Sequence, residues 1–172
     1  RPGPGLDRRR GALMSATPAT AVLDAAQVSY RLHSYHHDPQ VVGYGQEAAT
    51  ALGIDPMRMF KTLVVECDGT PHRLAVAMVP VAGKVNLKAC AQLFGVKRVL
   101  LAPAAQVTRS TGYVLGGVSP LGQRTRLDTA IDETCQLWDT IVVLAGRRGL
   151  DIELSPTDLI RLTEAQVGDI AG

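Results

Sequence analysis

A lysine near the start of an otherwise apolar segment is the first residue whose type and setting suggest chemistry. Lys61 follows Phe60 and precedes a run of Leu and Val residues that is typical of a strand. An ammonium group is costly to bury unless it reaches an anion or a carbonyl oxygen. Lys61 is therefore a candidate for holding a substrate oxygen. The alternative is a side chain that extends along the edge of a strand into water.

A glycine-rich segment supplies the second candidate. Residues 110 to 120 read STGYVLGGVSP, in which three glycines interrupt any regular period. Small residues let a ligand approach the main chain, so the backbone of Gly116 to Pro120 is suited to binding a carbonyl or phosphate oxygen. Most Gly-Gly pairs are only turns, and the spacing is not that of a dinucleotide-binding fingerprint. We expect a site in this loop.

Hydroxyl, imidazole and carboxylate side chains show weaker patterns. Ser110, Thr111 and Ser119 lie outside a GxSxG elbow, which favours hydrogen bonding in turns over a nucleophilic role. The four histidines have no HExxH spacing and are interpreted as surface or structural residues. Asp151 and Glu153 alternate along a predicted strand and so share one face. There they either orient a substrate amine or a lysine, or pair with arginines of the adjacent GRRG turn; the pairing is favoured.

Composition limits the classes of function. The 172 residues are 46% hydrophobic and 4% aromatic, which fits one domain with an aliphatic core. The first ten residues contain four arginines and one aspartate, so they account for more than the whole net charge of +2. A body without excess positive charge lacks the field of a general nucleic-acid binder. We expect no binding to DNA, and any RNA contact must be local.

The cysteines and the apolar runs bear on the cellular compartment of the protein, and the composition of the N-terminus bears on where the domain begins. Cys67, Cys90 and Cys135 are widely spaced and show no metal-ligand pattern, so we expect reduced, buried thiols, no metal and no cofactor. No run approaches the roughly 18 apolar residues of a membrane span, which predicts a cytoplasmic protein without a membrane partner. Residues 1–13, rich in Pro, Gly and Arg, are expected to be a disordered extension or vector-derived, with the domain at residues 14–172.

The elements predicted around these candidates alternate between helices and strands. The spacing predicts helices at residues 17–26, 48–52, 86–95, 103–109 and from 155 onward, and strands at 30–35, 60–67, 72–79, 98–101, 140–145 and 150–154. The strands at 60–67 and 72–79 form a predicted hairpin around Asp68-Gly69. Hairpin-type spacing favours a mixed or antiparallel sheet over a doubly wound parallel one.

Five segments, in order and spacing, resemble the YbaK/EbsC family. They are HDP at 37–39, FKTL at 60–63, PVAGKVNLK at 80–88, RSTGYVLGGVSPLGQ at 109–123 and RGLDIEL at 148–154. The resemblance extends from about residue 17 to residue 170. It implies a single-domain α/β fold related to the editing domain of bacterial prolyl-tRNA synthetases. In that fold a central mixed, mostly antiparallel and barrel-like sheet is flanked by helices.

The resemblance also implies an activity and a set of site residues. The activity is removal in trans of a wrongly attached amino acid from tRNA, and the motif matches favour cysteine on tRNA for proline. Catalytic positions map onto Lys61, Gly116, Gly117, Ser119 and Asp151, and substrate-binding positions onto Tyr35, Tyr44, Thr62, Val118 and Pro120. Tyr44 stands where the YbaK branch is expected to have phenylalanine, so its hydroxyl alters the polarity of the implied pocket.

The mechanism is expected to rest on positioning, because no nucleophile, base or metal set accompanies the loop. The Gly116 and Gly117 N–H groups would polarise the ester carbonyl, and Lys61 would hold that oxygen or the terminal phosphate. A cysteine thiol would then attack its own carbonyl, as in a lyase, whereas another amino acid would require water, as in an ester hydrolase.

Recognition of tRNA is expected to involve little more than the acceptor end. Prolyl-tRNA synthetase is a further partner that the resemblance suggests. The candidates for phosphate contact are Lys84, Lys88, Lys97, Arg98, Arg147 and Arg148. Two alternatives remain open at this point: a deacylase specific for alanine or of broad specificity, and a non-catalytic module that binds an aminoacyl or nucleotide ligand.

Overall fold

The computed structural model describes residues 16–41, 43–68 and 73–172. Its α-helices are α1 (Pro18–Ala25), α2 (Tyr44–Leu52), α3 (Leu87–Phe94), α4 (Ala104–Thr111) and α5 (Pro156–Thr163), and a 3₁₀ helix spans Glu133–Leu137. Its strands are β1 (Tyr30–Ser34), β2 (Phe60–Cys67), β3 (Leu74–Pro80), β4 (Val99–Leu101), β5 (Asp128–Asp132), β6 (Ile141–Arg147), β7 (Leu150–Leu154) and β8 (Gln166–Gly168). Residues 1–15 and 69–72 lie outside the described residues. These two segments contain the expected N-terminal extension and the tip of the predicted hairpin.

Capping residues explain where the helices begin and end. The Thr17 hydroxyl accepts a hydrogen bond from the Thr20 amide at 3.2 Å, and the Asn86 side chain accepts one from the Ala89 amide at 3.0 Å. At the other ends of α2 and α3, Gly53 and Gly95 adopt left-handed conformations with φ of 64° and 69°. These helices therefore match the start and stop signals of the sequence.

The strands form two sheets. One is antiparallel, in the order β1-β7-β6, and the other has the order β4-β2-β3-β5-β8. In the second sheet β2 is antiparallel to β3 and β4, while β5 is parallel to β3 and β8. A bridge between Met59 and Val142 joins the sheets at one corner. The predicted mixed, mostly antiparallel architecture is confirmed, although the described strands do not close into a barrel.

The main core lies between the two sheets. Met78 and Ile131 of the five-stranded sheet pack against Ile141 and Ile152 of the three-stranded sheet, and all four are fully buried. Helix α3 covers the opposite face of the five-stranded sheet. The three cysteines are free and buried, as expected. In the described part of the chain no helix is long and apolar enough to cross a membrane.

Three elements were absent from the sequence prediction. They are β5, β8 and the 3₁₀ helix Glu133–Leu137. Strand β5 lies inside the five-stranded sheet, between β3 and β8, and its residues from Thr129 to Asp132 are buried. An interior strand of the larger sheet was thus not predicted from the sequence, whereas the antiparallel part of that sheet was.

Candidate active site

A cavity of about 580 Å³ opens beside the first half of β2. Its walls come from α2, from the start of α4 and from the loop that contains residues 115–118, and its floor includes Leu144 of β6. The volume falls in the range of small-molecule sites. Most lining side chains are apolar. The polar and charged ones are Tyr44, Gln46, Lys61, Thr62 and Asp151.

Lys61 enters this cavity from the second position of β2. Its side chain is half-buried, and its Nζ donates a hydrogen bond to the carbonyl oxygen of Gly83 at 2.9 Å. Burial, and to a smaller extent the charge of Lys84, lower the pKa of the Lys61 ammonium. The lysine therefore satisfies the requirement inferred from the sequence, because its ammonium reaches the carbonyl oxygen of Gly83.

Asp151 is the most deeply buried charged residue of the cavity wall. Leu150 and Ile152 face the core on the other side of β7, so alternation directs Asp151 to the cavity, where it is 1% exposed. Its Oδ2 atom has no hydrogen-bond partner among the described residues. Burial raises the pKa of this carboxyl group to about 7. Such an unpaired carboxylate is a ready acceptor for a cation or a hydrogen-bond donor.

Glu153 lies on the same face of β7 but in a different environment. Its Oε2 accepts from Arg58 Nη2 at 2.8 Å, and its Oε1 lies 2.7 Å from His33 Nε2. These partners correct the interpretation that Glu153 pairs with an arginine of the GRRG turn. Arg58 also donates to the Thr140 carbonyl at 2.9 Å, so the group ties β1, β7 and the start of β6 together outside the cavity.

The glycine-rich loop presents fewer free amides than expected. Gly116 lines the cavity at φ +86°, whereas the Gly117 N–H donates to the Val114 carbonyl at 2.9 Å. In the described part of the chain, the amides of Gly116 and Val118 have no hydrogen-bond partner, and both residues line the cavity. The amides of Gly116 and Val118, rather than that of Gly117, are therefore available to a further hydrogen-bond acceptor.

Ser119 and Pro120 are buried behind the loop and are not part of the cavity wall. The Ser119 hydroxyl accepts from the Leu121 amide at 3.3 Å, and Tyr113 donates from its hydroxyl to the Leu121 carbonyl at 2.7 Å. Both contacts hold the loop in place. Ser119 is thus placed to support the loop rather than to attack a substrate.

Arg148 connects the two sides of the cavity mouth. Its guanidinium carbon lies 3.6 Å from the centre of the Tyr44 ring, and its Nη2 donates to the Leu115 carbonyl at 3.2 Å. His37 stacks edge-on against the same tyrosine and lies 2.7 Å from Glu47 through its Nδ1. His37 belongs to the HDP segment but was interpreted as surface or structural, and Glu47, which lies in no motif, was not predicted.

Two further predicted pocket residues are close to the site. The Thr62 hydroxyl is buried, lines the cavity and has no hydrogen-bond partner in the described residues. Tyr35 packs beneath α2 beside the cavity. Burial, followed by the charge of Asp151, raises the pKa of the Tyr35 hydroxyl, which indicates that this hydroxyl and the carboxylate are neighbours.

The basic residues expected to contact tRNA are spread over the surface. Lys84 is exposed near Lys61, and Arg148 is at the cavity mouth. The Lys97 and Arg98 amides instead donate to Asp68 just beyond the far end of β2, roughly 20 Å from Lys61 at the rise of an extended strand. Lys88 and Arg147 are exposed. The structure thus brings Lys84 and Arg148 to the site, and the backbone of Arg147 adjoins Gly117 of the glycine-rich loop.

Apolar residues of the wall also escaped prediction. Leu101 and Leu115 line the cavity although 56% and 57% of their surfaces are exposed. No sequence signal distinguished them from core leucines. Among the described residues, no cluster of His, Cys, Asp or Glu is arranged to hold a metal ion.

Comparison with known proteins gives consistent matches. The family model described as the aminoacyl-tRNA editing domain matches residues 38–162. EbsC of Enterococcus faecalis, a proposed Cys-tRNA(Pro)/Cys-tRNA(Cys) deacylase, is 32% identical over 154 residues, which are 90% of this chain and 92% of EbsC.

Solved structures share the fold. The structure of the hypothetical protein APE2540 superposes with a TM-score of 0.79 at 26% identity, covering 91% of this chain and all of that one. That of a proposed trans-editing enzyme for prolyl-tRNA synthetase superposes with a TM-score of 0.76 at 24% identity, covering 92% of this chain and 97% of the other.

Proposed function

The chain belongs to the aminoacyl-tRNA editing domain family, in its YbaK/EbsC branch, and we propose that it removes cysteine wrongly attached to tRNA for proline. The observation that carries this proposal is the buried carboxylate of Asp151, which has no partner among the described residues and shares its cavity with Lys61. An aminoacyl ester bears an ammonium group next to its carbonyl. A buried anion beside a largely apolar pocket is suited to such a group.

The other groups of the cavity match the remaining parts of an aminoacyl ester. The free amides of Gly116 and Val118 would donate to the ester carbonyl oxygen and stabilise the charge that develops on it. The buried Thr62 hydroxyl would bond to the ribose or the carbonyl. Lys61 and Lys84 together would hold the phosphate of the terminal adenosine.

The substrate would supply the nucleophile. The Ser119 hydroxyl is buried and already hydrogen-bonded, so it is a poor candidate for attack. In the proposed reaction the cysteine sulfur forms a bond to its own carbonyl carbon, the ester bond to the ribose oxygen breaks, and the thiol proton ends on that oxygen. With another amino acid a bound water would add instead. A serine ester should react more slowly, because its hydroxyl is the weaker nucleophile.

The binding partners and the cellular location are inferred from this proposed substrate. The cavity would receive the acceptor end of a charged tRNA, and a synthetase such as that for proline would supply tRNA specificity, since few basic residues surround the mouth. We assign the editing unit to residues 14–172 and, because its substrate is charged tRNA, propose a cytoplasmic protein.

Hydrolysis of charged tRNA tests the proposal. Cys-tRNA(Pro), Ala-tRNA(Pro) and Pro-tRNA(Pro) are incubated with the protein, with Lys61→Ala and with Lys97→Ala, which removes a lysine far from the cavity. We expect rapid loss of cysteine alone, abolished by the first substitution and not by the second. Loss of alanine at a similar rate would indicate a broader deacylase. Binding of charged tRNA without turnover would indicate a binding module.

A further inference from the structure

The hydrogen bond that holds Lys61 depends on a short loop between β3 and α3. The acceptor, Gly83, lies in a turn in which its own amide donates to the Pro80 carbonyl at 2.9 Å. On one side this loop contacts the segment before β2, where Val81 donates to the Met59 carbonyl at 2.7 Å. The position of the Gly83 carbonyl is therefore set by neighbouring backbone rather than by the turn alone.

On the other side the loop pairs with residues 170–172. The Gly172 amide donates to the Lys84 carbonyl at 2.7 Å, and the Asn86 amide donates to the Ile170 carbonyl at 2.7 Å. Val85 and Ala171 form an antiparallel bridge. These contacts adjoin Gly83 directly, so residues 170–172 hold the loop in place from the side opposite to Met59.

A buried carboxylate anchors this segment. Asp132, at the end of β5, is 1% exposed, and its Oδ1 accepts from the amides of Ile170 and Ala171 at 3.0 Å each. Two backbone donors on one carboxylate oxygen form charge-assisted bonds. A continuous series of hydrogen bonds and backbone pairing thus runs from Asp132 through residues 170–172 to the loop of Gly83 and on to the Lys61 ammonium.

We infer that Asp132 and residues 170–172, which lie outside the motifs that resemble the family, are positioning elements for Lys61. They do not line the cavity. They fix the Gly83 carbonyl and thereby direct the ammonium, and they also keep Lys84 close to it. The role in deacylation rests on the proposed function, whereas the coupling between residues 170–172 and the Lys61 ammonium does not.

Removal of Ala171 and Gly172 is the direct test, because it keeps the core residue Ile170. Each protein is treated with acetic anhydride, and acetylation of Lys61 is measured by mass spectrometry relative to that of Lys97 in the same sample. We expect relative acetylation of Lys61 to rise roughly two- to tenfold, the factor for one lost hydrogen bond. Asp132→Asn, which keeps the side-chain shape, should produce a smaller rise.

The exposed neighbour Asp169 supplies the control, since Asp169→Ala alters the same segment without removing either anchor. Unchanged acetylation of Lys61 in both test variants, or an equal rise in the control, would overturn the inference. For deacylation we expect kcat to fall in the test variants when each is assayed well below its own melting temperature. If the parent protein cleaves no charged tRNA, the proposed function fails, and the acetylation result still decides whether the segment positions Lys61.

Discussion

The guanidinium group of Arg148 stacks on the ring of Tyr44, with its central carbon 3.6 Å from the ring centre. Tyr44 opens α2, and Arg148 also donates to the carbonyl of Leu115 in the opposite wall. One side chain from the turn between β6 and β7 therefore joins two walls that are distant in sequence. We therefore expect Arg148 to set the width of the mouth, since its guanidinium is engaged by both walls rather than left free to bind a phosphate.

Replacing Arg148 by alanine should reduce kcat/KM for cysteinyl-tRNA roughly ten- to a hundredfold, the range for a lost cation–π contact together with a hydrogen bond. The salt dependence of tRNA binding separates this role from phosphate contact. If Arg148 shapes the mouth, the slope of log K against log salt is unchanged. A slope reduced by about 0.7–0.9 would instead identify a phosphate contact. Arg161→Ala, at an exposed pair with Asp158, is the control.

Gly116 should not tolerate a side chain. A Cβ atom there would lie 2.6 Å from Arg148 Nε, and the residue has φ +86°. Gly116→Ala is expected to lower deacylation strongly and to destabilise the protein by roughly 1–2 kcal/mol through the left-handed conformation. Gly53→Ala has a comparable φ of +64° with nothing within 4 Å. Gly53→Ala should lose a similar amount of stability in thermal unfolding but keep normal deacylation activity. Equal activities of the two variants would contradict the prediction.

Local signals explain why much of the fold was predictable. The caps at Thr17 and Asn86 and the glycines after α2 and α3 act through neighbouring residues, so their effect is visible in the sequence. Strand β5 reads Asp-Thr-Ala-Ile-Asp and pairs in parallel with β3 and β8, whose residues are distant in the chain. Strand β5 is buried because it pairs with these distant strands, and five residues are too few to show a periodicity that would predict a strand.

The site was predictable only where a family motif covered it. Lys61, Asp151 and Gly116 belong to segments that resemble the family, and all three line the cavity. The use of the Gly117 amide within the loop and the stacking of Arg148 on Tyr44 depend on backbone conformation and on contacts between distant segments. No spacing rule contains that information.

Glu153 should contribute to stability in a pH-dependent way. Burial alone would raise its pKa, but hydrogen bonds from Thr140 and His33 and the charge of Arg58 outweigh this effect and lower it. Its stabilisation is therefore complete above the unfolded pKa and is lost as the pH falls through the lower folded value. Glu153→Gln should cost roughly 1.5–3 kcal/mol at pH 7 in urea unfolding.

That difference should shrink as the pH falls below the ordinary glutamate range, where the parent carboxyl also becomes protonated. Glu164→Gln is the matched control, because the pair of Glu164 with Arg126 is 75% and 69% exposed and should be worth at most about 1 kcal/mol. A penalty for Glu153→Gln that is independent of pH would mean that the charge of Glu153 does not stabilise the fold.

The ionised Asp151 carboxylate should support deacylation but lower the free energy of unfolding. Burial raises its pKa from 3.8 to about 7, so between these values the folded protein keeps a proton that the unfolded chain has released. The unfolded state then binds fewer protons, and the contribution of Asp151 to stability declines as the pH rises from about 4 to 7. The free energy of unfolding of the Asp151→Asn variant should therefore rise relative to that of the parent over this interval, by on the order of 4 kcal/mol at most.

The same substitution should reduce cleavage of cysteinyl-tRNA, because an amide cannot pair with the substrate ammonium. In the parent protein, kcat/KM should rise with pH as Asp151 ionises near pH 7, and this rise should be missing from the variant. Thermal unfolding and single-turnover deacylation at pH 5, 6, 7 and 8 measure both effects. Asp158→Asn, on the surface helix α5, serves as the control. A parallel pH dependence of stability in parent and variant would show that Asp151 is ionised in the folded protein throughout this range.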